Sequence, residues 1–187
     1  MQIDVRHIQL NTPRLLLRPW MDSDIDDFYA FASIPEVGRM AGWYPQTSKE
    51  GALAFLRAEW WRRVCLAIYH LQDKKVIGSV GLHKSWASND MRFNHLKSAD
   101  ISYSIHPDYW NMGIATEAAK GLISYCFKHL DIKLVSCGHF VENLQSKRVI
   151  EKCGFVYDNQ KRVYSEELNM NFLETRYVLF AEEMHLE

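Results

Sequence analysis

No run of about 18 apolar residues occurs in this chain, so the sequence holds no segment able to cross a membrane as a helix. The opening MQIDVRHIQLNTPRLLLRPW also lacks the continuous apolar core of a secretion signal, and a cytoplasmic protein with no membrane partner is expected. Net charge is nearly absent, with 22 Lys plus Arg against 23 Asp plus Glu. Bulk electrostatics therefore gives no pull towards nucleic acid, and any anion must be held by a local device. Cysteine is scarce: Cys65, Cys126, Cys137 and Cys153 form no C-x-x-C and read as reduced, apolar side chains. The eight histidines show no H-E-x-x-H or other ligand spacing, so no metal is expected. Neither G-x-x-x-x-G-K-[ST] nor G-x-G-x-x-G is present, which speaks against a P-loop or dinucleotide fold.

What is present is a globular composition of 187 residues, 48% apolar, about the size of one domain spanning 1–187. RLLLRPW (14–20) reads as a strand stopped by Pro19. DSDIDDFYAFAS (22–33) reads as a helix, capped by Asp22 or Ser23, with Ile25, Phe28, Tyr29 and Ala32 on one face. A second helix fits 48–63 behind Ser48, and MAGWYPQT (40–47) between the two reads as a loop. CLAIYHLQ and VIGSVGLH form a hairpin, and 84–98 is a long polar loop. ADISYSIH (99–106) alternates Ile101, Tyr103 and Ile105 with polar positions, as a strand with two unlike faces does. A helix after Gly113, a strand at 133–141, a helix at 142–155 and two strands within 156–168 and 174–184 complete the order β-α-α-β-β-β-α-β-α-β-β. The helix between strands 99–106 and 133–141 is long enough to connect parallel neighbours.

The chemistry concentrates at HPDYWNMGIATEAAKG. A helix starting near Ile114 has four N–H groups without intrahelical partners and the positive end of its dipole there. Gly113 adds no side chain, so an anion can approach its backbone, although a glycine before a helix is equally a plain turn.

YWNMGIATEA resembles the acyl-coenzyme A pyrophosphate loop of the GNAT acetyltransferase superfamily, in particular its RimJ/RimL-type branch, where W-G-x-G-x-A-T-E-A is common. Asn111 stands where that branch has glycine. ENLQSKRVIEKCGF resembles the family helix E-N-x-x-S-x-R-V-x-E-K-x-G-F, and TPRLLLRPW and ADISYSIHPDYW match the branch's other signatures. The likeness covers about residues 10–181. It implies an α/β (α+β) GNAT fold: a mixed sheet of about seven strands flanked by about four helices. It also implies an N-acetyltransferase passing the acetyl group of acetyl-CoA to a primary amine by direct attack in a ternary complex.

The resemblance also assigns roles. The N–H groups of Asn111, Met112, Gly113, Ile114, Ala115 and Thr116, behind Trp110, would hold the pyrophosphate. Ile105 and His106 would pair with the pantetheine arm and polarise the thioester carbonyl, and Asn143 would contact the same arm. Many relatives carry a tyrosine acid where this chain has Ile150, which leaves Ser146 to stabilise or protonate the thiolate. Asp100 sits where the family has glutamate and is the candidate base through a water, with His83 and His106 as rivals. Trp43, Tyr44 and Trp86 are candidate acceptor-pocket residues. The acceptor implied is the N-terminal amine of a protein such as a ribosomal protein, or alternatively an antibiotic, polyamine or amino acid. A non-catalytic acyl-CoA-binding module stays open, as does a monomer or homodimer.

Overall fold

The computed structural model describes residues 3–165 and 168–183, with all of their side chains except those of Glu59 and Trp60. Eight strands form one sheet: β1 (Leu10–Asn11), β2 (Leu15–Pro19), β3 (Cys65–His70), β4 (Lys75–His83), β5 (Ser98–Ile105), β6 (Leu134–Phe140), β7 (Val156–Ser165) and β8 (Met170–Phe180). Their spatial order is β1-β2-β3-β4-β5-β6-β8-β7. The helices are α1 (Ile25–Ala32), α2 (Pro35–Ala41), α3 (Lys49–Arg57), α4 (Glu59–Val64), α5 (Ile114–His129) and α6 (Leu144–Lys152). No helix among the described residues is long and apolar enough to cross a membrane.

The mixed α/β architecture expected from sequence is present, with eight strands and six helices among the described residues where about seven and four were expected. The extra helix α2 takes the first part of the expected loop. Pro35 opens it at the first turn, and Gly42 closes it in the left-handed conformation at φ 83°. The expected helix 48–63 is two helices because Ala58 is extended, at ψ 126°. Arg62 Nε donates to the Leu56 carbonyl at 3.0 Å and satisfies one of the acceptors that the break exposes. The last strand starts at Met170, earlier than expected, and its expected end at Met184 lies outside the described residues, as do Glu166 and Glu167.

Alternation divides the strands between two layers. Leu15, Leu17, Leu66 and Ile68 join Ile114, Leu122 and Ile123 of α5 in the larger core. On the other face, Trp20, Phe28, Phe31, Leu56 and Trp61 form a second core under α1–α4. Phe28 and Phe31 are each 1% exposed, a burial worth about 1.5–3 kcal/mol per side chain. Arg18 and Asp24 clamp the turn before α1 with two hydrogen bonds of 2.7 Å.

One irregularity positions the site. β5 and β6 are the parallel pair, and their register runs only through Ser98↔Leu134, Ala99↔Val135 and Asp100↔Ser136. Beyond it, β5 remains on β4 as far as Gly78↔Ile105, and β6 remains on β8 as far as Phe140↔Glu174. The strands therefore part after Asp100. The backbone edge of residues 101–105 on that side is left without a strand partner, a row of donors and acceptors for something extended to pair with.

Candidate active site

A cleft of about 550 Å³ opens where β5 and β6 separate, and it reaches both faces of the sheet. Its lining brings together Asp100, Ile105, Trp110, Asn111, Gly113, Ile114, Ala115, Thr116, Asn143 and Ser146, residues far apart in sequence.

At one end of the cleft, the chain turns into α5 through two left-handed residues. Gly113 has φ 76° and Asn111 has φ 61°. Asparagine is among the few side-chain-bearing residues that adopt this region readily, which accounts for Asn111 in a place where the resembling branch has glycine. Among the described residues no side chain caps α5, so the N-terminal N–H groups are left for another acceptor. A Cβ built on Gly113 would meet only Arg14 Nη2, at 3.6 Å, so the space beside its backbone is open.

The loop is tied from outside the cleft. Arg14 donates to the Met112 carbonyl at 2.9 Å and to Glu117 at 2.7 Å, and Thr12 donates to Glu117 at 2.6 Å. Burial works to raise the Glu117 pKa, but the Thr12 and Arg14 hydrogen bonds outweigh it and hold the carboxyl below its usual range. The Met112 side chain is exposed and does not line the cleft. Trp110 Nε1 donates to the Ile105 carbonyl at 2.8 Å and ties the end of β5 to the loop.

Asn143 caps α6, accepting from the Ser146 N–H at 3.0 Å, while its amide nitrogen lies 3.5 Å from the Met40 carbonyl of α2. Ser146 Oγ is 2.9 Å from the Tyr103 hydroxyl, which donates to the Ser146 carbonyl at 3.1 Å. Burial first, then the neighbouring Cys137, hold the Tyr103 phenol well above its ordinary value, against the opposing Ser146 bond. Sequence reasoning missed this partner because Tyr103 occupies a core position in the strand alternation, and its hydroxyl reaches out of that core. Ile150 is buried at 1% exposure.

The other face of β5 carries Asp100, Ser102 and Ser104. Ser136 donates to Asp100, and the Ser85 and Ser136 hydroxyls are 2.8 Å apart. Burial raises the Asp100 pKa to about 7, despite the Ser136 bond that works against it, with Glu174 adding to the rise and Arg176 opposing it. His83 lines the cleft beside it, 2.7 Å from Ser102 Oγ, and burial lowers its pKa. His106 does not line the cleft: its Nδ1 accepts from the Asp108 N–H at 3.2 Å and caps the turn at Pro107–Tyr109.

Of the three expected acceptor-pocket residues, Trp43 lines the cleft and the other two do not. Tyr44 is 60% exposed and donates to the Leu168 carbonyl at 3.3 Å, so it links the α2–α3 loop to the β7–β8 turn. Trp86 packs with Ala87, Leu134 and Val178 in a separate small core, under the Arg176 guanidinium at 5.2 Å. The resemblance offered these aromatics as pocket candidates, but which way each ring packs is decided by its tertiary neighbours. Residues it did not single out, among them Phe55, Trp61 and Glu174, complete the wall. Cys137 also lines the cleft, and burial holds its thiol well above the usual range, which disfavours a thiolate nucleophile.

A sheet parted beside an open helix start puts an unpaired strand edge and free N–H groups in one cleft. Residues 14–156 match the family described as "Acetyltransferase (GNAT) domain". The chain belongs to the GNAT acetyltransferases, enzymes that use acetyl-CoA. It is 30% identical over 160 residues to the uncharacterised N-acetyltransferase YoaA of Bacillus subtilis, covering 83% of this chain and 86% of that one. A GNAT-family acetyltransferase of Bacillus anthracis superposes with a TM-score of 0.81 at 21% identity, covering 94% of this chain and all (100%) of that one. Spermidine N-acetyltransferase of Vibrio cholerae, solved with CoA and spermine, superposes at a TM-score of 0.73 and 17% identity, covering 92% and 98%.

Proposed function

We propose that this acetyltransferase holds acetyl-CoA between β5 and β6 and passes the acetyl group to a primary amine entering from the α1–α4 face, by direct attack in a ternary complex. One observation carries the reading: a carboxylate and a hydroxyl pair open into one cleft from opposite faces of β5, Asp100 on one and Tyr103–Ser146 on the other.

The fit to the donor rests on this chain's own groups. The bare N-terminus of α5, its left-handed approach and the open flank of Gly113 suit a pyrophosphate. The unpaired edge of residues 101–105 suits the amide groups of a pantetheine arm. Acetyl-CoA supplies an acyl group activated as a thioester. Asp100, with its pKa near neutrality, takes a proton from the incoming ammonium and so frees the nitrogen lone pair. As the C–N bond forms and the C–S bond breaks, Ser146 donates its hydroxyl proton to the departing thiolate. For that, the Tyr103 hydroxyl, which donates to the Ser146 carbonyl at 3.1 Å, turns its proton to Ser146 Oγ, 2.9 Å away, and stabilises the developing serine oxyanion. The second proton lost by the nitrogen restores the relay through solvent.

The acceptor is a primary amine, either a protein N-terminus, such as that of a ribosomal protein, or a small amine. An acceptor panel at fixed acetyl-CoA, read by thiol release, tests the reading: peptides with different free N-termini in one arm, polyamines, amino acids and aminoglycosides in the other. Release with at least one acceptor is expected, and Ser146→Ala should cut turnover more than it weakens CoA binding. No release with any acceptor would leave a non-catalytic CoA-binding module.

A further inference from the structure

Glu174 has no part in the chemistry just described, yet its placement is constrained from three sides. It lies on β8 opposite Phe140, and its carboxyl lies over Gly138 of β6: a Cβ on that glycine would meet Glu174 Oε1 at 2.6 Å. Only the missing side chain at Gly138 permits this approach. Arg176 Nε donates to Oε2 at 2.7 Å, and its guanidinium sits over Trp86 at 5.2 Å, outside the cleft lining. The pair is thus polarised, with the guanidinium away from the cleft and the carboxylate on its wall. Oε1 accepts no hydrogen bond among the described residues.

The surroundings favour one kind of visitor. Among the described residues, the other titratable groups on this face of the cleft are Asp100 and His83, and no lysine or arginine side chain lines it there. Arg148 and Lys152, which also line the cleft, belong to α6 beside Ser146, on the side of the proposed donor. Trp43, Trp61 and Phe140 supply an apolar wall. A partly desolvated carboxylate oxygen without a donor, facing such a wall, is matched by a cation that carries N–H donors.

We propose that Glu174 seats the acceptor as its ammonium ion, and that the acceptor is therefore a cationic alkylamine with an apolar flank. This deepens the acetyltransferase reading and rests on it for the word acceptor, but the ammonium seat itself is a binding property. Asp100 cannot serve both purposes, because the carboxylate that takes the proton loses its charge in doing so. Glu174 holds the cation first, and Asp100 then receives its proton.

The test uses a panel of alkylamines, each paired with the alcohol of the same skeleton, titrated calorimetrically into enzyme saturated with CoA. In the native enzyme at least one amine should bind about 10- to 100-fold more tightly than its alcohol, the range expected of a hydrogen bond to a charged group. In Glu174→Gln, which keeps an oxygen for Arg176, that preference should fall below about twofold. The CoA affinity and the alcohol affinity should stay as they were. Glu174→Asp, which keeps the charge but retracts it, should give an intermediate preference. Persistence of the full preference in Glu174→Gln, or no amine bound above its alcohol in the native enzyme, would overturn the assignment. An ammonium preference without thiol release would overturn the acetyltransfer reading while leaving the Glu174 seat in place.

Discussion

Replacing Asp100 by Asn removes one proton-binding site while keeping an oxygen to accept from Ser136. In the folded protein Asp100 holds its proton up to about pH 7, against an ordinary value of 3.8, which stands for the unfolded chain. Between those values the native state binds more protons than the unfolded one, so this residue lowers stability progressively as pH rises. At 1.36 kcal/mol per unit the cost is about 2 kcal/mol at pH 5 and about 4 kcal/mol at pH 8, both ceilings because the cleft admits water. Asn carries no such cost. The difference in melting temperature between Asp100→Asn and the native enzyme should therefore grow from pH 5 to pH 8, by about 4–8 °C for a chain of this size. Titrating groups that do not interact with Asp100 cancel in the difference. The same variant should lose about 100- to 10,000-fold in turnover, the usual weight of a general base. Native kcat/KM should rise as pH increases through about 7. Scanning calorimetry at four pH values, with thiol release on the same samples, measures both effects. A melting difference that does not vary with pH, or undiminished turnover, would refute the argument.

Tyr103→Phe leaves the core position filled and removes the donor to Ser146, so turnover should fall about tenfold or more while CoA affinity holds; unchanged turnover in single-turnover measurements would remove Tyr103 from the relay. Gly113→Ala should cost about 1–2 kcal/mol of stability through its left-handed backbone, because the added methyl meets only Arg14, and should weaken CoA binding. Asn111→Gly, by contrast, should leave CoA affinity unchanged in titration calorimetry, since the position supplies a backbone conformation and not a side chain.

Much of this was legible in the sequence, for identifiable reasons. The succession of elements along the chain, apart from β1 and α2, followed from alternation and turn residues, and the α5 start was visible because Gly113 stands directly before the apolar periodicity. Helix α2 was missed although Pro35 and Gly42 mark both its ends, because Gly38 and the neighbouring Trp43–Tyr44–Pro45 look like loop. Gly38 is there for packing: a Cβ on it would come within 2.7 Å of the Trp43 carbonyl. Tyr103 and Glu174 were illegible as site residues for another reason. Each becomes functional only through where two strands part and which helix covers them, and neither is a local property of sequence. Trp86 shows the converse, a conspicuous residue whose ring serves a satellite core.

The separation of β5 from β6 has a consequence for solubility. A strand edge with unmet hydrogen bonds is ordinarily an invitation to a second chain, and proteins blunt such edges with charge, proline or bulges. Here the open edge of residues 101–105 lies in the middle of the sheet, hidden behind α2 on one side and α6 on the other. An edge placed there is not on the outer rim of the sheet, where strands of other molecules meet it.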